Sequence, residues 1–175
     1  YRNRDLFGFN IILSYTLVRS ESEKISQDLD PLGTFVPSAW DNRHLLNLTS
    51  NRKFKGNWQA GFKYRFAGGT PYTPWDVPYS EQRPAWDVRG SGYLDFTRFN
   101  TLRIKGFHQL DIRIDKEWFF DRWRLNLYFD VQNVLNFKAD SPPNLYQRED
   151  PDGIPIIQNP GDPYQDQLYS LKLIK

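Results

Sequence analysis

The sequence contains neither cysteine nor methionine. Without cysteine there is no disulfide framework and no thiolate metal site, and the redox compartment stays undecided. The chain also lacks the positively charged and apolar leader of a secretory signal. Because no methionine is present to initiate translation, we expect the chain to be a piece of a longer precursor.

Long apolar runs are absent as well, and the mean hydropathy is -0.70. A transmembrane helix needs about 18 or more consecutive apolar residues, so that class is excluded. Strands that cross a membrane are not excluded, because only every second residue of such a strand meets lipid. The net charge is +2. The basic residues are spread over the chain rather than lining one face, so no nucleic-acid partner is expected.

Proline is missing from long stretches of the chain. All 12 prolines lie in residues 20–39, 69–103 and 139–165. Proline cannot donate a hydrogen bond to a strand ladder, so this distribution separates loops from sheet. The remaining stretches are joined by connections that are long, short, long, short and long.

Those stretches alternate between apolar and polar residues. In the stretch 57–67, for example, Trp58 and Phe62 alternate with Gln59 and Lys63. This period of two is typical of strands with one apolar face. The predicted strands are 5–19, 43–52, 57–67, 108–118, 123–137 and 168–175.

The layout predicts an all-β fold. We interpret residues 1–175 as a segment of an antiparallel transmembrane β-barrel, with six meandering strands, short periplasmic turns and long extracellular loops. Trp58, Trp118 and Trp123 lie beside the two short turns, as an interfacial aromatic belt requires. The alternative is a soluble β-sandwich with these tryptophans in its core, although a sandwich has turns at both ends of short strands.

The short turns predict strand register. Phe54-Lys55-Gly56 fits a three-residue hairpin that places Arg52 opposite Trp58, or one register step away. If residues 119–122 form a tight hairpin, Arg113 pairs with Asp130 directly or diagonally. The residues predicted to face the barrel lumen are Lys63, Arg65, Asp111, Arg113 and Asp130.

The loop 69–103 is rich in aromatic residues, proline and arginine. A loop of this length in a compact domain is functional or disordered, and its composition favours order. Such a surface can stack on sugar rings or on an aromatic chelator, while arginine holds an anion. The alternative is that the loop packs on itself. The candidate ligand-facing residues are Tyr72, Trp75, Tyr79, Arg83, Trp86, Arg89 and Tyr93.

Residues for catalysis or metal binding are few. His44 and His108 are the two histidines, and both open descending strands near the same rim. A histidine pair without a spaced carboxylate is not expected to bind a metal. The segment Asp150–Gly153 is predicted to be a turn rather than the start of a calcium loop. We therefore predict no catalytic residue, no metal, no cofactor and no enzymatic activity.

Three segments carry a resemblance to a known family. They are Trp40–Leu48 (WDNRHLLNL), Gly68–Pro74 (GGTPYTP) and Asp130–Phe137 (DVQNVLNF). Together, and in this order, they resemble the C-terminal part of a TonB-dependent outer-membrane receptor, and the similarity covers essentially the whole chain. Members of that family usually end on an aromatic residue, whereas this chain ends with Leu171–Lys175 (LKLIK).

The resemblance implies a function. The chain would supply the last six strands of a barrel of about 22 strands closed by a plug, in the outer membrane of a Gram-negative bacterium. The barrel would import a scarce nutrient such as an iron chelate, a glycan or a peptide. Its partners would be the lipid bilayer, the plug domain, the remaining strands and, through the missing N-terminal part, the energy-coupling inner-membrane complex. A surface lipoprotein is a further candidate partner.

Two other functions remain open from the sequence. One is a passive outer-membrane porin or structural barrel, which shares the aromatic belt and the alternation but lacks a plug. The other is a soluble β-domain that binds carbohydrate.

Overall fold

The computed structural model describes residues 2–6, 8–23 and 34–175. The fold is predominantly β. Its strands are β1 (Arg2–Leu6), β2 (Phe9–Leu17), β3 (Glu21–Glu23), β4 (Phe35–Pro37), β5 (His44–Phe54), β6 (Trp58–Ala67), β7 (Pro71–Tyr72), β8 (Trp75–Asp76), β9 (Tyr93–Leu94), β10 (Leu102–Arg103), β11 (Phe107–Phe119), β12 (Arg124–Val131), β13 (Asn144–Gln147) and β14 (Leu171–Ile174). Two short helices, α1 (Val77–Ser80) and α2 (Arg83–Asp87), and two 3₁₀ turns, Phe96–Arg98 and Tyr164–Asp166, complete the elements.

The chain divides into two compact units. Unit 1 comprises Tyr1–Ser20, Trp40–Thr70 and Lys105–Asp140. Unit 2 comprises Glu21–Ala39, Pro71–Ile104 and Ser141–Lys175. Unit 1 therefore contains five of the six predicted strands, and unit 2 contains the sixth, 168–175, with most of the proline-rich segments.

Unit 1 is one open antiparallel sheet with strand order β1-β2-β5-β6-β11-β12. Short turns join β1 to β2, β5 to β6 and β11 to β12, and all three lie at one end of the sheet. At the other end the chain leaves β2, β6 and β12 into long segments. The predicted antiparallel meander with short turns at one end is confirmed for these strands, while the sheet itself does not close on itself.

The β5–β6 turn has the odd length that the alternation predicts. Phe54 pairs with Trp58, so three residues, Lys55 to Asn57, form the loop. Gly56 and Asn57 both adopt positive φ angles, of 73° and 61°, as a tight hairpin requires. The loop begins one residue later than predicted. Arg52 accordingly lies opposite Ala60, the next residue after Trp58 on the same face and within the predicted register step.

The predicted first strand, 5–19, is wrong in its extent. The chain reverses at Gly8, which has a φ of 80°, so that β1 and β2 form a hairpin with Leu6 opposite Phe9. Glycine reaches this left-handed conformation without steric cost. The alternation of apolar residues continues through the turn, and for that reason the pattern did not reveal it.

Two further strand predictions need correction. The predicted strand 123–137 ends at Val131, because Asn133 takes a left-handed conformation with a φ of 52°. The Asn133 side chain accepts a hydrogen bond from the Phe137 amide and donates one to the Phe137 carbonyl. The predicted last strand, 168–175, is shortened to β14, which pairs with β13 and not with the six-stranded sheet.

Unit 2 consists of paired short strands and the two helices. Its two-stranded sheets are β3–β4, β7–β10, β8–β9 and β13–β14. Proline at the start of each helix fits the first turn, where an amide donor is not needed. Asp76 caps α1 by accepting the Tyr79 amide at 3.0 Å. The fully buried Ser80 hydroxyl accepts the Tyr93 amide at 2.8 Å, which ties α1 to β9.

No helix in the described residues is long and apolar enough to cross a membrane.

Candidate functional site

The register of unit 1 produces a sheet with two different faces. On one face, Leu13, Leu48, Tyr64 and Leu110 form a row across β2, β5, β6 and β11. On the opposite face, Asn10, Asn51, Gly61, Arg113 and Asp130 form a row across β2, β5, β6, β11 and β12. We call these the apolar face and the polar face.

The apolar face is uncovered. Leu127 and Phe129 of β12 leave 63% and 69% of their surface exposed, and Leu17 of β2 leaves 66%. The buried hydrophobic residues of the described chain, Ala85, Leu145 and Tyr169, all belong to unit 2. Burying apolar surface contributes about 25 cal/mol per Å². Burial of apolar surface is the main stabilisation of a water-soluble domain. This face gains that stabilisation only when another apolar medium covers it.

Aromatic residues border the apolar face at the short-turn end. Trp58 and Trp118 lie on adjacent strands next to the turns, and Phe120 stacks on Trp123 with ring centroids 3.9 Å apart. Trp58, Trp118 and Trp123 are 47%, 37% and 57% exposed. Their predicted location beside the turns is confirmed.

A second aromatic border lies at the long-loop end. Hydrogen bonds of 2.8 Å join Tyr15 to His44 and Tyr64 to His108, both through Nδ1 of the histidine. Along β6, Trp58 and Phe66 mark the two borders and lie eight positions apart, or about 26 Å along the strand at 3.3 Å per residue. A strand tilted by about 40° rises about 20 Å over that length, and the apolar band of membrane barrels has a height of about 25 Å between aromatic girdles.

The polar face contains the five charged residues predicted to face a lumen. Lys63, Asp111, Arg113 and Asp130 line a cavity of about 750 Å³ on this face. Arg65 lies on the same face and forms an ion pair with Asp111 at 3.7 Å. The structure thus brings all five onto one surface.

The register of Arg113 is as predicted, but its ion pair is not. Arg113 lies directly opposite Asp130. Its guanidinium donates instead to Asp115 at 2.7–3.0 Å and lies 4.1 Å from the centroid of the Tyr128 ring. Sequence reasoning missed Asp115, although an arginine and a carboxylate two residues apart share one face of a strand.

The candidate ligand-facing residues of loop 69–103 lie in unit 2 and separate into two groups. The indole nitrogens of Trp75 and Trp86 donate hydrogen bonds within unit 2, to the carbonyls of Pro143 and Ser80 respectively. Tyr72 is paired with Leu102 in the β7–β10 ladder. For these residues the alternative of self-packing is correct.

The second group is more accessible. Tyr79 is 50% exposed, and its ring centroid lies 4.7 Å from that of Tyr93. The guanidinium of Arg89, an exposed residue, lies 4.6 Å from the Tyr93 ring centroid. An accessible aromatic and cationic surface is therefore formed by three of the predicted ligand-facing residues, Tyr79, Arg89 and Tyr93.

Arg83 belongs to a hydrogen-bonded cluster that the sequence did not reveal. Asp87 accepts hydrogen bonds from Tyr169 at 2.6 Å, Tyr164 at 2.9 Å and Arg83 at 3.1 Å. Arg83 also lies 3.7 Å from the centroid of the Tyr164 ring. The only local signal was the spacing of four residues between Arg83 and Asp87 on one helix.

Two pKa values in this cluster shift in opposite directions. Burial and the hydrogen bond to Asp87 raise the pKa of the Tyr169 hydroxyl to about 12. The hydrogen bond from Tyr169, with those from Tyr164 and Arg83, lowers the pKa of Asp87 despite its partial desolvation. The cluster is most stable with a neutral tyrosine and an ionised carboxylate, and it links α2 to the C-terminal segment of unit 2.

Within the described residues, no group of three or more histidine, aspartate or glutamate side chains is arranged to hold a metal ion. Asp150–Gly153 is a turn, as predicted: Asp150 Oδ1 accepts the amides of Asp152 and Ile154.

The sequence matches no protein-family model, no curated protein and no solved structure.

Proposed function

We propose that unit 1 is a membrane-spanning part of an outer-membrane β-barrel in a Gram-negative bacterium, with its apolar face against lipid. The observation that supports this most strongly is the bare apolar face, bordered at both ends by aromatic residues. Interfacial aromatic belts of this kind mark the two boundaries of the hydrocarbon layer. Lipid supplies the apolar medium that the fold itself does not provide.

The resemblance described above extends the proposal to a TonB-dependent transporter. In that function the polar face, with Lys63, Asp111 and Arg113, lines a lumen that holds a plug domain. The accessible surface of Tyr79, Arg89 and Tyr93 contributes to capture of the nutrient, whether an iron chelate, a glycan or a peptide. The partners are the bilayer, the plug and remaining strands, the energy-coupling inner-membrane complex and a surface lipoprotein.

Labelling along β12 tests the membrane part. Because the chain has no cysteine, single cysteines at positions 124 to 129 can carry an environment-sensitive fluorophore after refolding into phosphatidylcholine vesicles. We expect blue-shifted emission at Leu125, Leu127 and Phe129, and aqueous emission at Arg124 and Asn126. Quenching by brominated lipid should follow the same alternation.

Two results would contradict the proposal. Aqueous emission at all positions would mean that the apolar face does not contact lipid. Loss of the alternation would mean that the sheet does not insert with this register. The transport part is tested separately, by gene deletion and measurement of nutrient uptake with and without an energised inner membrane.

A further inference from the structure

We propose that Arg52 and Lys116 each bind the phosphate of an anionic lipid headgroup at the short-turn end of the apolar face. This inference rests on the proposed membrane-spanning function. It adds a specific lipid chemistry and assigns it to one of the two membrane boundaries.

The distribution of charge on the apolar face is the first observation. Across the described side chains of β2, β5, β6, β11 and β12, this face contains no aspartate or glutamate. Among the described side chains of these five strands, Arg52 and Lys116 are the only lysine and arginine on this face. Both lie within the last two cross-strand rows before the short turns, opposite Ala60 and Trp58 respectively. Two cations without a carboxylate on the same face favour an anionic partner from outside the chain.

Aromatic rings hold both cations at the boundary. The Arg52 guanidinium lies 4.9 Å from the Phe9 ring centroid and 5.5 Å from that of Phe54. The Lys116 ammonium lies 5.1 Å from the Trp58 ring centroid and 5.5 Å from that of Trp118. Such contacts favour a cation at the edge of the apolar layer, where its long side chain covers apolar surface and its charged end reaches water.

Both cations keep donors for a phosphate. Lys116 donates to the Gly56 carbonyl in the adjoining turn, and an ammonium group has three donors, so two remain. The guanidinium of Arg52 can bind two phosphate oxygens at once. Both residues are only half-buried.

The other end of the apolar face has a different chemistry. There the tyrosine–histidine pairs Tyr15–His44 and Tyr64–His108 occupy the equivalent border. No lysine or arginine of the five strands lies on the apolar face at that end. The preference for anionic lipid therefore belongs to the leaflet at the short turns.

Vesicle flotation provides the test. The whole 175-residue chain is refolded with vesicles of phosphatidylcholine alone or of phosphatidylcholine mixed with phosphatidylglycerol, and the bound fraction is measured at several lipid concentrations. A basic residue near an anionic surface contributes about 1 kcal/mol, which is about fivefold in affinity. We expect the double variant Arg52→Gln/Lys116→Gln to lose roughly 25-fold of the preference for phosphatidylglycerol while binding phosphatidylcholine vesicles as before.

The matched control removes two positive charges from the polar face near the same turns, one on β5 and one on β12. In Lys53→Gln/Arg124→Gln the preference should persist, and in Arg52→Lys/Lys116→Arg it should be largely restored. Equal lipid preference in the wild type and in Arg52→Gln/Lys116→Gln overturns the inference, as does an equal loss in the polar-face control. If the wild-type chain binds neither kind of vesicle, the proposed membrane function fails as well, so the two failures can be distinguished.

Discussion

Asp87 receives three side-chain hydrogen bonds, and its cluster makes the stability of unit 2 depend on pH. Tyr169 is 5% exposed, with a pKa of about 12 against 10.0 for a free tyrosine. The folded state therefore holds a proton that the unfolded state releases above pH 10. This contribution, about 2–3 kcal/mol, is present below pH 10 and is lost as the pH rises to about 12.

We expect the variant Tyr169→Phe to remove this alkaline loss of stability. Denaturant unfolding of unit 2, followed by near-ultraviolet circular dichroism between pH 8 and 12, measures it. Tyr146→Phe is the control, because that side chain is 46% exposed. A wild-type stability that stays constant through this pH range would contradict the assignment.

On the acidic side the lowered pKa of Asp87 predicts that stability falls as the pH drops through the folded pKa of this carboxylate.

The cluster also shows why part of the site could not be predicted at the level of single residues. Tyr169 and Asp87 are 82 positions apart, and nothing in either local sequence indicates the other. Arg113 and Asp130 were placed opposite each other because a short turn joins their strands, so that register follows from turn length. The sequence predicted the Arg113–Asp130 register because a short hairpin joins the two strands. It did not predict the contact between Asp87 and Tyr169, which joins two long segments.

At the scale of elements, strand β12 ends at a specific side chain. Asn133 has a positive φ and exchanges two hydrogen bonds with the backbone of Phe137. We expect Asn133→Ala to destabilise the sheet by about 1–3 kcal/mol, because it loses these bonds and keeps an unfavourable backbone conformation. Asn133→Gly should recover part of the loss, since glycine adopts positive φ freely. Urea unfolding in detergent micelles measures both, and an Asn133→Ala variant as stable as the wild type would refute this role.

The turn at Asn133 also explains why the predicted strand 123–137 was too long. Leu135 and Phe137 continue the alternation beyond Val131, so the period of two persists where the backbone has already turned. Gly8 caused the same error between β1 and β2. By contrast, the predicted strands 43–52, 57–67 and 108–118 agree within two residues with β5, β6 and β11, because turn residues or proline-rich segments delimit them.

At the scale of the whole molecule, the sheet has one bare face and an open edge. All eight residues of β12 are exposed, and the outer edge of this strand has no neighbouring strand among the described residues. The opposite edge of the sheet is β1, which pairs with β2. Exposed edges and large apolar patches both promote association between chains.

We therefore expect the 175-residue chain to aggregate in buffer and to become monodisperse in detergent. Size-exclusion chromatography with light scattering measures this directly. Replacing Leu125, Leu127 and Phe129 by serine should reduce aggregation, whereas serine at the polar-face positions Arg124, Asn126 and Tyr128 should not. A stable monomer in buffer alone would support the soluble-domain alternative.

The three-residue turn Lys55–Asn57 also constrains how the gene can change in length. If the loop keeps three residues, one inserted residue moves β6 by one position against β5 and exchanges its two sides, so that Phe62 points where Lys63 does now. An insertion in the segments between β2 and β5 or between β6 and β11 leaves that relation intact. In an alignment of natural variants, gaps should accumulate in these segments, while the turns at the other end keep their length or change it by two residues at a time.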